Sequence, residues 1–145
     1  MYLVDTNVIS AGAPGKPPSA DLVAWMERHS ATLWLSVVTV AEIEDGVAKS
    51  AREGASRKAA TLAAWLEAVL HLYGDRILPF DTATARIAGA LADRARSQGQ
   101  APGCADIIIA ATARRHGLTI LSRNLRHVVP LEGPALDPFA GLPLG

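Results

Sequence analysis

Tyr2-Leu3-Val4-Asp5-Thr6-Asn7 is the stretch on which the fold turns. Three apolar residues run straight into a carboxylate. The run is too short for a helix and reads as a strand buried on both faces. The same signature returns at Leu33-Trp34-Leu35, at Ile77 to Phe80 and at Leu118 to Leu121. Helical spacing fills the intervals. Ser19 caps a helix through about His29, with Leu22, Val23, Trp25 and Met26 on its apolar side. Thr39 opens a helix through about Ala48, with Ile43 and Val47 on one face. Past a break at Gly54, Ala59, Leu62, Leu66, Val69 and Leu70 make an amphipathic helix. Asp81 caps a helix that turns Ile87, Leu91 and Ala95 inward, and Gly99 stops it. Ala105 to His116 is apolar nearly all round at Ile107-Ile108-Ile109, so it belongs at the centre, and Gly117 ends it. Ala11 to Pro18, rich in Pro and Gly, is a loop. Short apolar strands alternating with helices predict an α/β open sandwich: a central, mainly parallel sheet of four to five strands, flanked by helices.

A chain of 145 residues suits one domain, residues 1–145. Pro130, Pro134, Pro138 and Pro143 mark about 130–145 as a wrapping tail with room for one edge strand. Half the residues are hydrophobic and only 19% are charged, which predicts a packed globule and excludes a disordered chain. Fourteen basic residues balance fourteen acidic ones. That excludes a uniformly basic nucleic-acid coat protein and leaves room for a local basic patch. Cys104 is the single cysteine, so neither a disulfide framework nor a cysteine-built zinc site is available. It is expected to pack rather than react, in a reducing cytoplasm. Asp5 interrupts the first apolar residues before a signal-peptide core develops, and no run approaches the ~20 residues of a membrane helix.

In such sheets ligands bind outside the carboxyl ends of the strands. Asp5 follows the first strand there, Glu42 is expected in the first turn of the helix after the second, Asp106 in the first turn of the central helix, and Asn124 follows the fourth strand. Each has a plain structural reading. Asp5 suits a turn cap, Thr39-x-x-Glu42 is a capping box, Asp106 complements a helix dipole, and Asn124 suits a turn. Their convergence is what points to chemistry. Unit charges ~4 Å apart repel by ~4 kcal/mol at an effective dielectric near 20. A hard divalent cation relieves that repulsion with oxygen ligands alone and can polarise a phosphodiester.

At these residues the chain resembles the PIN-domain ribonucleases, specifically the VapC/FitB-type toxins of bacterial toxin–antitoxin pairs. The matching stretches are Tyr2 to Ser10, Ser36 to Ile43, Ile77 to Asp81, Ala105 to Ala113 and Thr119 to Asn124, in the family's order. The resemblance implies magnesium-dependent RNA cleavage, with manganese able to substitute. Asp5 and Asp106 would be the principal metal ligands, and Glu42 the third acidic member, binding metal or orienting water. Asn124 stands where many members carry a fourth acidic residue, which bears on whether one or two metals bind. Thr6, Asn7, Ser36 and Ser122 sit beside these positions as supporting hydrogen bonders or as ordinary turn formers. The resemblance also implies a homodimer and a small DNA-binding antitoxin as partner.

Arg123, Arg126 and His127 flank Asn124 and face RNA phosphates on this reading, or form an ordinary charged surface. Arg114, Arg115 and His116 read as a solvated helix end. Trp25, Trp34 and Trp65 belong to core or partner-binding faces. Two alternatives stand beside the nuclease. One is a PIN-like binding module weakened through Asn124. The other is a phosphoryl-transfer hydrolase on a similar sheet, for which Lys16, Lys49 and Lys58 are badly placed.

Overall fold

A computed structural model describes residues 1–15, 19–131 and 133–143. Five strands form one sheet: β1 (Tyr2–Val4), β2 (Leu33–Ser36), β3 (Ile77–Leu78), β4 (Thr119–Leu121) and β5 (Ala135–Leu136). Their order is β3-β2-β1-β4-β5, and every neighbouring pair is parallel. The helices are α1 (Thr6–Ile9), α2 (Ala20–Arg28), α3 (Val37–Arg52), α4 (Ser56–Tyr73), α5 (Thr82–Ser97), α6 (Cys104–His116) and α7 (Leu125–Val128). This is the α/β sandwich that the alternation of periods predicts.

Strand side chains alternate between two cores, as a pleat requires. Leu3, Leu78 and Ile120 face Ala88, Leu91 and Ala95 of α5 and Ile109 of α6. Val4, Leu33, Leu35 and Leu121 face Leu22 and Trp25 of α2, Ile43 of α3, and Leu66, Val69 and Tyr73 of α4. Helices therefore cover both faces. β1 lies centrally, and the chain builds β2 and β3 on one side of it before returning to β4 and β5 on the other. The strand order reverses between β1 and β4, which is where such folds open a ligand crevice. Val4 pairs with Leu121, and the Asp5 amide donates to the Leu121 carbonyl at 2.9 Å. The residues just beyond these two strands are thereby brought side by side.

Local chemistry fixes the helix ends. Asp81 caps α5 by accepting from the Thr84 amide at 2.9 Å and the Thr84 hydroxyl at 2.8 Å. Gly117 closes α6 with φ +65°, a left-handed conformation that glycine adopts without a Cβ penalty. α3 departs from expectation. Its cap is Ser36, which accepts from the Val38 amide at 3.1 Å, so the helix starts at Val37 rather than Thr39. Thr39 is buried inside the helix and Glu42 lies in its second turn, which removes the capping box. Cys104 is exposed, not packed, because it occupies the first position of α6, before that helix passes under the sheet. Trp25 is buried, stacked on His29 and edge-on to Tyr2. The tail does supply an edge strand, β5. Residues 16–18 of the expected loop, Glu132 and residues 144–145 lie outside the described residues. Among the described residues, no helix is long and apolar enough to cross a membrane.

Candidate functional site

Asp5 leaves β1 buried, and its carboxylate is held from several sides. Oδ1 accepts from the Thr6 amide at 2.8 Å, as the cap of α1. Oδ2 accepts from the Ser122 hydroxyl at 2.8 Å and from Asn7 Nδ2 at 3.1 Å. Asn7 Nδ2 also reaches Ser122 Oγ at 3.3 Å, and Asn7 Oδ1 accepts from the Arg123 amide at 2.9 Å. Ser122 is fully buried and accepts from the Asn124 amide at 3.0 Å. The ends of β1 and β4 are thus laced together by side chains. A carboxylate oxygen has two lone pairs, so Oδ1 retains one for a ligand.

Glu42 reaches the same region from α3. Its Oε1 accepts from the Thr6 hydroxyl at 2.7 Å, and that hydroxyl also lies 3.1 Å from Thr39 Oγ1. Asp106 arrives from the first turn of α6. Burial pushes its carboxyl above the ordinary carboxylate range; His127 opposes that shift, and the Asp5 charge adds to it. His127 Nδ1 lies 3.6 Å from Asp106 Oδ2.

Asp5, Glu42, Asp106 and Asn124 all line one cavity of about 390 Å³, together with Thr6, Asn7, Ser10, Ala105 and His127. It sits at the carboxyl edge of the sheet, at the β1–β4 reversal. Ser122 supports it from beneath. Ser36 serves α3 as its cap and does not border the cavity. Arg123 lies outside it, with its guanidinium 3.8 Å above the Phe139 ring. Sequence reasoning missed Ser10, the Thr39 contact and the approach of His127 to Asp106. His127 lies 21 positions from Asp106 on another element, a spacing without a local signature.

The three carboxylates of Asp5, Glu42 and Asp106 offer anionic oxygen donors, which fit a hard divalent cation rather than a soft metal, while His127 borders the cavity beside Asp106. Among the described residues, no three His, Cys, Asp or Glu side chains form a ready ligand cage. Magnesium does not require one. It keeps several waters and is held by one or two carboxylates, and Asp5 with Asp106 meets that demand.

The PIN domain family model matches residues 2–128. Toxin FitB of Neisseria gonorrhoeae is 39% identical over 142 residues, covering 96% of this chain and 99% of that protein. VapC ribonuclease Y4jK of Sinorhizobium fredii is 36% identical over 139 residues, covering 94% of both. The crystal structure of FitAcB from Neisseria gonorrhoeae superposes with a TM-score of 0.84 at 35% identity, covering 96% of this chain and 99% of that one. Sequence and fold therefore agree with the resemblance carried by the motifs: the chain belongs to the PIN-domain family, in its VapC/FitB branch.

Proposed function

We propose that this protein is the toxin of a type II toxin–antitoxin pair, a magnesium-dependent endoribonuclease that hydrolyses RNA phosphodiester bonds in the Asp5–Glu42–Asp106 cleft. One observation carries the reading. Three acidic side chains from three separate elements border a single polar cavity at the point where the sheet order reverses. The names of its relatives, a toxin and a ribonuclease, support the same activity.

Asp5 and Asp106 would hold the ion, which when bound offsets their mutual repulsion and the charge developing on the phosphate. Asp5 is the fixed partner, because Ser122, Asn7 and the Thr6 amide hold its carboxylate before any ligand arrives. Glu42 acts on water. Its Oε1 is held by Thr6, and its Oε2 takes the proton as a water oxygen bonds to phosphorus; the leaving oxygen departs with the bonding electron pair and takes a proton from solvent. Asn124 brings an amide and no charge, so it orients water or phosphate instead of holding a second ion. A neutralising antitoxin is the partner, a reading supported by the name of its 39% identical relative, a toxin. A second copy forming a homodimer, and a cytoplasmic site of action, complete the proposal.

The test is RNA cleavage by the purified protein with magnesium, with manganese and with EDTA. Cleavage is expected with either metal and not with EDTA. Asp5→Asn and Asp106→Asn are each expected to abolish cleavage while the circular dichroism spectrum is retained. Parental activity in either variant overturns the assignment. Magnesium binding without cleavage of any RNA would instead favour a non-catalytic binding module.

A further inference from the structure

A scissile phosphodiester at Asp5 and Asp106 brings its neighbouring phosphates with it, and an acidic cleft repels them. The cavities beside the cleft show where cations meet the strand. The acidic cavity shares Asn124 with a second, of about 360 Å³, that reaches Arg123, Arg126 and Asp137. It shares Asp106 and His127 with a third, of about 380 Å³, that again reaches Arg126. Arg126, on α7, therefore borders both flanking cavities. Its side chain is exposed and has no ion-pair partner among the described residues.

Arg123 is held in a different way. Its guanidinium stacks on Phe139 at 3.8 Å, and its backbone amide is bonded to Asn7. The cation is thus pinned near the mouth of the second cavity on an exposed residue. Asp137, the carboxylate of that cavity, accepts from the Phe139 amide at 2.9 Å. Across the acidic cavity, Thr6, Ser10 and Glu42 supply no cation. Among the described residues lining the acidic cavity, His127 on α7 is the one basic side chain, and the two cavities that adjoin it on this side reach Arg123 and Arg126.

We propose that the RNA strand crosses the cleft along the β4–α7 side, with the phosphates flanking the scissile one bound by Arg126 and Arg123. The proposal rests on the ribonuclease reading. The guanidinium fork matches phosphate geometry. Phosphate contacts set register and affinity and carry no base preference. The two arginines therefore act on strand binding and leave the reacting groups untouched.

The experiment compares the full-length protein with Arg126→Ala, Arg123→Ala, the double variant and Arg126→Lys. Arg115→Ala, at the far end of α6, is the charge-loss control. Binding of a short fluorescein-labelled single-stranded RNA is measured in EDTA across a salt series. Cleavage kinetics follow in magnesium, on an RNA that the parent cuts. Each alanine variant is expected to make the plot of log K against log salt shallower by about 0.7. Each is expected to raise KM by about tenfold with kcat unchanged. Arg126→Lys regains the salt slope, and Arg115→Ala changes neither quantity. If the parent cleaves RNA and the double variant keeps both its salt slope and its KM, this strand path is wrong while the ribonuclease reading stands. If the parent neither binds nor cleaves RNA, both fall together.

Discussion

Ser122 donates its hydroxyl to Asp5 Oδ2 at 2.8 Å, across 117 positions of sequence. The contact is buried, and Ser122 Oγ itself accepts from Asn7 Nδ2 and the Asn124 amide. Ser122→Ala therefore strips one carboxylate of a donor and leaves two donors short of an acceptor. Such losses cost about 1–3 kcal/mol. The urea midpoint is expected to fall, with magnesium-dependent cleavage reduced by more than tenfold. An unchanged midpoint would show that water replaces the hydroxyl without cost.

Thr6 has a separable role. Its amide caps toward Asp5, while its hydroxyl holds Glu42. Thr6→Val keeps the shape and the amide and removes only the hydroxyl. The expected result is a roughly tenfold loss of kcat, since a mispositioned base forfeits part of the ~100-fold or greater gain of proton transfer. KM for RNA stays the same, and Thr6→Ser restores the rate. A rise in KM alone would place Glu42 in substrate binding instead.

Asp81 sets an acid limit on stability. The Thr84 amide, and then the Thr84 hydroxyl, hold its carboxyl below the usual carboxylate range. A depressed folded-state value means the unfolded chain takes up the proton first as pH falls. The stabilisation is present above the ordinary Asp value of ~3.9 and is lost as pH drops through the folded value. Asp81→Ala should lower Tm by several degrees at pH 7. The gap between parent and variant should narrow at pH 3, as differential scanning calorimetry would show.

Tyr73 sets the opposite limit. Burial pushes its hydroxyl up to about 12, against a smaller opposing pull from Arg76. Its contribution is intact below the unfolded value of ~10 and declines as pH rises toward the folded one, at ~1.4 kcal/mol per unit. Tyr73→Phe removes that decline. Urea midpoints of parent and variant should run parallel from pH 7 to 9 and diverge by pH 11, the variant resisting better.

The strands were legible because each carries its own local signal, whereas the acidic residues stood out only through their shared place at the carboxyl ends of the strands. The apolar triplet before Asp5 is a buried strand, as its pattern predicts, and Asp5 caps the turn that follows it. Asp81 and Gly117 announce helix ends by chemistry that needs no partner. The start of α3 was not legible. Val37-Val38-Thr39-Val40 is β-branched, which weakens a helical reading, and Thr39 before Glu42 imitates a cap. Packing overrides both, burying Thr39 against the Thr6 hydroxyl. α1 and α7 are single turns, too brief for periodicity to speak. The strand order, and with it the meeting of Ser122 with Asp5, arises from pairing between distant segments that no window of sequence contains.

Asn7 spends both ends of its amide on the tips of β1 and β4, through Asp5, Ser122 and Arg123. That clasp builds the floor of the acidic cavity into the scaffold itself, so little ordering entropy is left to lose there when a ligand arrives. A ligand entering this cavity therefore meets an Asp5 carboxylate whose direction the fold has already set.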